Sequence, residues 1–230
     1  MQLIRRIGLI GDLHCEDEAL ELALGELGRQ GVELVLQAGD ICDGAGDLER
    51  TISLLVEHRV LAVRGNHDRW LLSNQLRDLP YANVLAQVTP TSVDYLAHLP
   101  ATRELASPRG NVLLCHGLGE NDMASVKPHH EGYDIDFNTE LQRLIAERRF
   151  QFVLNGHTHR SMLRRFGGLS IINAGTLLRD AERCFMVVDF ERGLLVRFRH
   201  APGEVSRDIA QWTRDELPLD HATSEPFVSV

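Results

Sequence analysis

The first half of the chain alternates between short apolar runs and segments in which leucines recur at helical spacing. The apolar runs predict strands over residues 3–10, 34–37 and 60–63. The other segments predict helices over residues 16–30, 47–57, 69–76 and 92–98, and Asp47 is placed to cap the second of them. Strands that alternate with helices in this way are typical of β-α units around a largely parallel sheet.

The second half of the chain has a different pattern, with one long polar stretch and several closely spaced apolar runs. Residues 117–137 are polar, and residues 137–148 predict a helix. Strands are predicted over residues 111–115, 152–154, 162–166, 169–173, 184–190 and 194–199. The close spacing of the last five of these strands predicts an antiparallel meander, so we expect an α/β fold with two sheets packed face to face and helices outside.

The composition is that of one soluble globular domain. The chain has 230 residues, of which 43% are hydrophobic and 25% are charged, and its formal net charge is −9. This acidity argues against general binding of nucleic acid, but a small phosphorylated substrate remains compatible with it because bound dications reverse the local charge. We expect residues 1–202 to form the domain and the acidic residues 203–230 to be its C-terminal extension.

The apolar runs are all shorter than a membrane span, and Arg5 and Arg6 interrupt the N-terminal run without a cleavage site after it. This run therefore predicts a buried strand, and we expect no membrane association. Four cysteines lack paired spacing: Cys15, Cys42, Cys115 and Cys184. We interpret them as reduced thiols of a cytoplasmic protein. No feature of the sequence indicates an oligomeric state.

Five segments share one feature, since each follows an apolar run and enters a glycine-containing turn with metal-capable side chains. They are residues 11–14 (Gly-Asp-Leu-His), 39–43 (Gly-Asp-Ile-Cys-Asp), 65–68 (Gly-Asn-His-Asp), 115–117 (Cys-His-Gly) and 156–159 (Gly-His-Thr-His). Ligand sites in open α/β sheets lie at the carboxyl ends of strands, and glycine permits sharp turns and close backbone approach. We therefore expect the five turns to converge on one point.

The side chains in these turns are carboxylates, an amide and imidazoles, which suit first-row cations such as Mn²⁺, Fe²⁺ or Zn²⁺. Asp12 and His14 lie two residues apart, as do His157 and His159, so each pair points the same way from an extended segment. A single Gly-Asp or Asp-x-His is more often an ordinary turn. Five such turns in order favour a metal site.

The order Asp-x-His, Gly-Asp, Gly-Asn-His-Asp, His-Gly and Gly-His-x-His resembles that of the calcineurin-like metallophosphoesterases. The resemblance runs from Ile7 to Thr176, and it includes residues 173–176 (Asn-Ala-Gly-Thr). The compact length is similar to that of the small prokaryotic phosphodiesterases and phosphatases of that superfamily. The resemblance implies a four-layer α-β-β-α sandwich of two mixed sheets flanked by helices, and it implies a hydrolase of phosphate esters.

The resemblance also implies a dinuclear metal centre. One divalent ion would be held by Asp12, His14 and His159, the other by Asn66, His116 and His157, and both by a bridging Asp40. Mn²⁺ is the expected metal, with Fe, Zn, Ni or Mg as alternatives. Two such ions lie about 3.5–4 Å apart and activate a bridging hydroxide, which would attack phosphorus in line with the leaving group.

A proton donor and substrate contacts are implied next to the ligands. His67 would protonate the leaving alkoxide, and Asp68 would orient His67 and raise its pKa. Asn66, His67 and Arg69 are the expected substrate-binding residues, although Arg69 is equally well interpreted as a solvated residue of a first helical turn. Asp43 is interpreted as a loop cap.

The substrate stays open between phosphodiesters, phosphomonoesters and nucleotides, with a small diester or nucleotide preferred. Symmetrical dinucleoside polyphosphates and serine/threonine phosphoproteins are alternative substrates. A non-catalytic metal-binding scaffold of the same fold is the alternative from another class, and a hydrolase with a single metal ion is a further enzyme alternative. The complete set of ligand positions favours an enzyme over the scaffold.

Overall fold

The computed structural model describes residues 3–75, 77–201 and 212–220. The described strands are β1 (Arg6–Ile10), β2 (Leu34–Gln37), β3 (Leu61–Ala62), β4 (Thr102–Ser107), β5 (Gly110–Cys115), β6 (Phe152–Asn155), β7 (Ser161–Phe166), β8 (Leu169–Ala174), β9 (Arg183–Asp189), β10 (Leu194–His200) and β11 (Thr213–Pro218). The described helices are α1 (Asp17–Arg29), α2 (Leu48–Glu57), α3 (Asn66–Leu72), α4 (Pro90–Ala97), α5 (Tyr133–Asp136) and α6 (Thr139–Glu147). Leu76, predicted to end a helix, and residues 203–211 and 221–230 of the predicted extension lie outside the described residues.

The strands form two mixed sheets. The first sheet has the order β11-β10-β9-β1-β2-β3, and the second has the order β4-β5-β6-β8-β7. β1, β2 and β3 are parallel, as the alternating pattern predicts, while β9, β10 and β11 extend the first sheet in antiparallel fashion. β11 therefore adds part of the predicted C-terminal extension to the first sheet.

The antiparallel meander predicted for the second half is wrong for the second sheet, because β5, β6 and β8 are parallel. A parallel pair needs a crossover connection, which α6 provides between β5 and β6 and the edge strand β7 provides between β6 and β8. The sequence pattern also misses β4 and β11. Their side chains are mostly polar and only partly buried, so they lack the apolar run that indicates a strand.

Three separate apolar cores divide the molecule into layers. Leu20, Leu27 and Leu55 of α1 and α2 pack on the outer face of the first sheet. The inner faces of the two sheets meet in a second core, which contains Leu9 and Leu154. The third core covers the outer face of the second sheet with side chains of α6. Three cores between four layers confirm the expected α-β-β-α sandwich.

The helix boundaries differ from the predicted ones mainly at α3. This helix begins at Asn66, not at Arg69, so the predicted ligand Asn66 lies in its first turn. The predicted cap of α2 is present, since the Asp47 side chain accepts a hydrogen bond from the Arg50 backbone N–H. Among the described helices, none combines the length and the apolar character that crossing a membrane requires.

Leu154→Ala tests the core between the sheets. Leu154 is fully buried there, so its truncation is expected to lower the free energy of unfolding by about 2–5 kcal/mol. Urea denaturation measures the change. Val56→Ala is the control, because Val56 is 56% exposed and its truncation should change the free energy by less than about 0.5 kcal/mol. Equal effects of the two substitutions would contradict this assignment of the core.

Candidate metal centre

The five predicted turns converge where the carboxyl ends of strands from both sheets meet. Asp12 and His14 follow β1, Asp40 follows β2, and Asn66 follows β3 in the first sheet. His116 follows β5 in the second sheet, and His157 and His159 follow β6. The two edges are joined by backbone pairing between Asp12 and Thr176. The face-to-face packing therefore brings the predicted ligands of both sheets to one site.

Asp12, His14, Asp40 and His159 form the first ligand cluster. One potential ligand atom from each of these side chains lies within 4.8 Å of all the others. The Nε2 atoms of His14 and His159 are 3.0 Å apart and face each other. These are the predicted ligands of the first ion, together with the predicted bridging carboxylate.

Asp40, His116 and His157 form the second cluster, with ligand atoms again within 4.8 Å of one another. The Asn66 side-chain oxygen belongs to the same group, since it lies 2.9 Å from His116 Nε2 and 3.0 Å from His157 Nδ1. Asp40 is thus shared by both clusters. A carboxylate shared in this way is what a dinuclear centre requires of its bridging ligand.

Hydrogen bonds to backbone carbonyls fix the orientation of two imidazoles. His14 Nδ1 lies 3.2 Å from Cys42 O and 3.0 Å from Asp43 O, and His116 Nδ1 lies 2.7 Å from Ala38 O. A carbonyl only accepts, so Nδ1 carries a hydrogen in each ring, and in the neutral form of each ring Nε2 has the lone pair. This arrangement is typical of metal-ligating histidines.

Several ligands occupy the left-handed region of backbone conformation, which non-glycine residues rarely adopt. The φ angles of His14, Asp40, His157 and His159 are 46°, 56°, 68° and 56°. Residues held in this region cluster at functional sites, and each costs about 1–3 kcal/mol. The sequence predicts extended segments here, whereas the structure has sharp turns that bring the candidate ligands together at the strand ends.

Gly65 explains how the turns after β2 and β3 come so close together. A Cβ atom on Gly65 would lie 2.1 Å from Asp40 Oδ1 and 2.3 Å from Asp40 N. Any side chain would therefore displace the shared carboxylate. The glycine is required by close approach, in agreement with the role expected for glycines in these turns.

The buried carboxylates of Asp12 and Asp40 are stable as anions only when a positive charge lies near them. Burial raises the pKa of Asp12 well above its ordinary value, and the charge of Asp40 raises it further. Burial opposes protonation of His116, but the charge of Asp40 and a hydrogen bond to it outweigh burial and raise the pKa of His116 to about 10. A divalent cation among the same donors would supply this positive charge while every imidazole stays neutral.

The other imidazoles are suited to such a cation. Burial lowers the pKa of His14, His157 and His159, and in His159 the proximity of His14 contributes to a value of about 4. Neutral imidazole is the form that ligates metals. The residues present therefore fit two divalent ions.

His67 does not have the carboxylate partner that the sequence predicts. Its Nδ1 lies 2.9 Å from Asp43 Oδ2, and Asp68 makes no hydrogen bond to it. Burial lowers the pKa of His67, but the hydrogen bond to Asp43 and the surrounding carboxylates raise it above its ordinary value. Asp43 is therefore the carboxylate that orients His67, and it also accepts a loop backbone N–H, as expected of a loop cap.

Asp68 instead holds two ligand turns together. Its carboxylate accepts backbone N–H hydrogen bonds from Gly65 at 2.9 Å, Asp40 at 3.1 Å, Ile41 at 2.9 Å and Cys42 at 3.2 Å. Asp68 does not orient His67, because the first turn of α3 directs its side chain back to the β2 turn, but its charge contributes to the raised pKa of His67 as predicted. Asp68 therefore maintains the backbone conformation of the two turns that carry Asp40 and Asn66.

Two residues that no sequence motif predicts hold Asp43 in place. Arg77 forms an ion pair with Asp43 at 2.7 Å, and its side chain is only 6% exposed. The backbone N–H of Asn83 donates to Asp43 Oδ1 at 2.8 Å, and its side-chain oxygen accepts from the Asp43 N–H at 2.7 Å. No local motif marks Arg77 or Asn83, because they reach Asp43 from a distant loop.

Arg69 pairs with a residue of the polar stretch 117–137. Its Nε and Nη2 atoms donate to the two oxygens of Asp122 at 2.6 and 2.9 Å. The Arg69 side chain is 42% exposed and that of Asp122 is 21% exposed. Arg69 thus lies at the rim of the site and has a carboxylate partner that the sequence does not predict.

The profile of the calcineurin-like phosphoesterase superfamily domain matches residues 6–193. The chain therefore belongs to the calcineurin-like phosphoesterase superfamily, and its activity class is that of a metal-dependent phosphoesterase. A comparison with curated proteins finds no match.

Solved structures share the fold. A metallophosphoesterase from Sphaerobacter thermophilus is 19% identical, with 81% of this chain and 84% of that chain covered and a TM-score of 0.58. A phosphoesterase from E. coli is 15% identical, with 94% and 100% covered and a TM-score of 0.55. Vacuolar protein sorting 29 from Cryptosporidium parvum is 17% identical, with 94% and 98% covered and a TM-score of 0.55.

Asp40→Asn tests the shared carboxylate. Because Asp40 belongs to both clusters, this substitution is expected to reduce the bound metal from two ions per chain towards none, whereas loss of an unshared ligand affects one ion first. Mass-spectrometric metal analysis after dialysis measures the content. Asp94→Asn is the control, since Asp94 is 75% exposed on α4. Full metal retention by Asp40→Asn would contradict the shared role.

Asp43→Asn and Asp68→Asn separate the two carboxylates. Asp43→Asn is expected to lower kcat by about tenfold to a hundredfold because it disturbs the partner of His67. Asp68→Asn is expected mainly to lower the free energy of unfolding, by about 1–3 kcal/mol, because it weakens several buried hydrogen bonds. Steady-state kinetics and urea denaturation of both variants give the comparison. The reverse pattern would show that Asp68 orients His67.

Proposed function

We propose that this protein is a dinuclear-metal hydrolase of phosphate esters. The observation that carries the proposal is the position of Asp40, which belongs to both ligand clusters and lies beside His67. Mn²⁺ is the proposed metal, because the donor set combines carboxylate, amide and imidazole. The proposed ligands are Asp12, His14, Asp40, Asn66, His116, His157 and His159.

Two divalent ions at these donors would supply charge for the phosphoryl oxygens and lower the pKa of a water molecule. The side chains of the chain define the rest of the reaction. Water adds to phosphorus, the ester P–O bond breaks on the opposite side, and the leaving oxygen takes up a proton. His67 is the proposed proton donor, since its raised pKa increases the protonated fraction near neutral pH.

The orientation of His67 supports this role. Nδ1 is occupied by Asp43, while Nε2 lies on the side of Asp40, 3.9 Å from its Oδ2 atom. The free ring nitrogen therefore faces the region between the ligand clusters, where the leaving oxygen would form. Trp70 packs against the imidazole, with ring centroids 4.9 Å apart, and limits its movement.

A small phosphorylated substrate and a cytoplasmic location complete the proposal. The net charge of −9 opposes binding along a nucleic-acid backbone. All four cysteines are free and buried, which is compatible with a reducing compartment. We propose that residues 1–202 form the domain and that residues 203–230 extend the same domain, and the place of β11 in the first sheet supports this division.

His67→Ala provides the test. The Mn²⁺-loaded variant is expected to keep both ions and to lose about 10²–10⁴-fold in kcat on bis(p-nitrophenyl) phosphate. His98→Ala is the control, since His98 is 77% exposed on the surface. Metal loss in His67→Ala would count against its role as proton donor. If neither the diester nor p-nitrophenyl phosphate is hydrolysed by the unmodified protein with any of several metals, the scaffold alternative is favoured.

A further inference from the structure

The Arg69–Asp122 ion pair joins two elements at the rim of the metal centre. Arg69 lies in α3, which also carries Asn66 and His67, and Asp122 lies in the polar stretch 117–137. Arg69 is close enough to Asp40 for that charge to influence its pKa, and Asp122 influences the pKa of His157 in the same way. Each partner therefore stands near one side of the site.

The two partners differ in their freedom to move. Asp122 belongs to a tight turn in which the Asn121 side chain accepts the N–H groups of Met123 and Ala124, each at 3.0 Å. The Leu118 N–H closes the same turn by donating to the Asn121 carbonyl at 3.0 Å. Arg69 reaches Asp122 with a long side chain that is 42% exposed. The turn that carries Asp122 is thus closed by hydrogen bonds, whereas the Arg69 guanidinium lies at the end of a long, partly exposed side chain.

The pairing engages the guanidinium fully on one side. Nε and Nη2 donate to the two Asp122 oxygens in the parallel geometry that arginine also uses for phosphate. Arg69 cannot present this edge to a phosphate while it holds Asp122. A partly exposed ion pair is weak enough for a substrate to compete with it. The competition depends on the charge of the substrate.

Phosphodiesters and phosphomonoesters differ in the number of free oxygens and in the negative charge that Arg69 could bind. A phosphodiester has two free oxygens that share one negative charge. A phosphomonoester has three free oxygens and carries about two negative charges near neutral pH. The additional oxygen needs an additional donor, and the additional charge is repelled by Asp122 unless Arg69 compensates for it.

We propose that the Arg69–Asp122 pair determines specificity, because Asp122 withholds Arg69 from the third phosphate oxygen and thereby favours phosphodiesters over phosphomonoesters. This inference rests on the proposed function and names the substrate class of the same site. Arg69 thus acts as a substrate-facing residue only when Asp122 releases it. Asp122 is the residue that makes the site selective.

The test compares kcat/KM for bis(p-nitrophenyl) phosphate and p-nitrophenyl phosphate in the Mn²⁺-loaded full chain. The unmodified enzyme is expected to prefer the diester. Asp122→Asn is expected to raise the monoester-to-diester ratio about fivefold, which corresponds to the roughly 1 kcal/mol of a partly exposed ion pair. Adding Arg69→Met to Asp122→Asn should abolish the increase, because the effect requires the released guanidinium.

A matched pair elsewhere provides the control. Arg149 and Glu104 form a comparable ion pair at 2.7 Å, with side chains 59% and 39% exposed. Glu104→Gln removes one carboxylate from a pair on β4 and should leave the ratio unchanged. An equal change in Glu104→Gln and Asp122→Asn would overturn the inference, and so would a monoester preference in the unmodified enzyme.

Binding of inorganic phosphate gives a readout that does not require turnover. Calorimetry on the Mn²⁺-loaded proteins should show orthophosphate binding about fivefold more tightly to Asp122→Asn than to the unmodified chain, with metal content equal in both. Absence of hydrolysis of both esters would remove the proposed function. Tighter phosphate binding would then still support charge selection by Asp122, and unchanged binding would overturn it.

Discussion

The site depends on one constraint, which is that the Asp40 carboxylate must face two ligand clusters while it is buried between two sheets. Asp40 meets this constraint with a left-handed backbone and a φ angle of 56°. Its Oδ1 atom accepts the His67 N–H at 2.9 Å, and its own N–H donates to Asp68. The absence of a side chain at Gly65 leaves the space that this arrangement needs. The position of the proposed proton donor is thus coupled to that of the shared ligand.

The arrangement that suits the metal centre lowers the stability of the fold without metal. Left-handed ligands cost backbone energy, and the paired buried carboxylates Asp12 and Asp40 repel each other. Three apolar cores and the backbone hydrogen bonds of Asp68 offset these terms. Because cations relieve the repulsion, metal binding and folding stability are linked. The metal centre is therefore a stabilising element only when it is loaded.

The sequence identifies the candidate ligands because each follows an apolar strand in a short local motif. The structure brings all of the predicted ligand side chains together. It does so with left-handed turns, whereas the prediction expects extended segments. The carboxylate partner of His67 is not predictable in this way, since Asp43 adopts a φ of 66° that redirects its side chain. Arg77 lies 34 residues beyond Asp43, and Asp122 lies 53 residues beyond Arg69. Pairings over such separations depend on how the loops pack, which periodicity does not record. The parallel strands of the second sheet are not predicted for the same reason, because the crossover connections depend on how the elements pack.

Burial separates the chemistry of this site from its selectivity. The proposed ligands Asp12, Asp40 and His116 are almost completely buried, so a change in any of them disturbs both charge balance and backbone. The rim is different, because Arg69 and Asp122 keep contact with water and their pairing involves no ligand directly. A weak exposed ion pair can change without loss of the fold, whereas the buried donors cannot. Substitutions at the rim can therefore alter the preferred ester while the same buried donors continue to catalyse hydrolysis. In this proposal the polar stretch 117–137 has a physical role, because its Asp122 carboxylate controls whether Arg69 can bind the substrate.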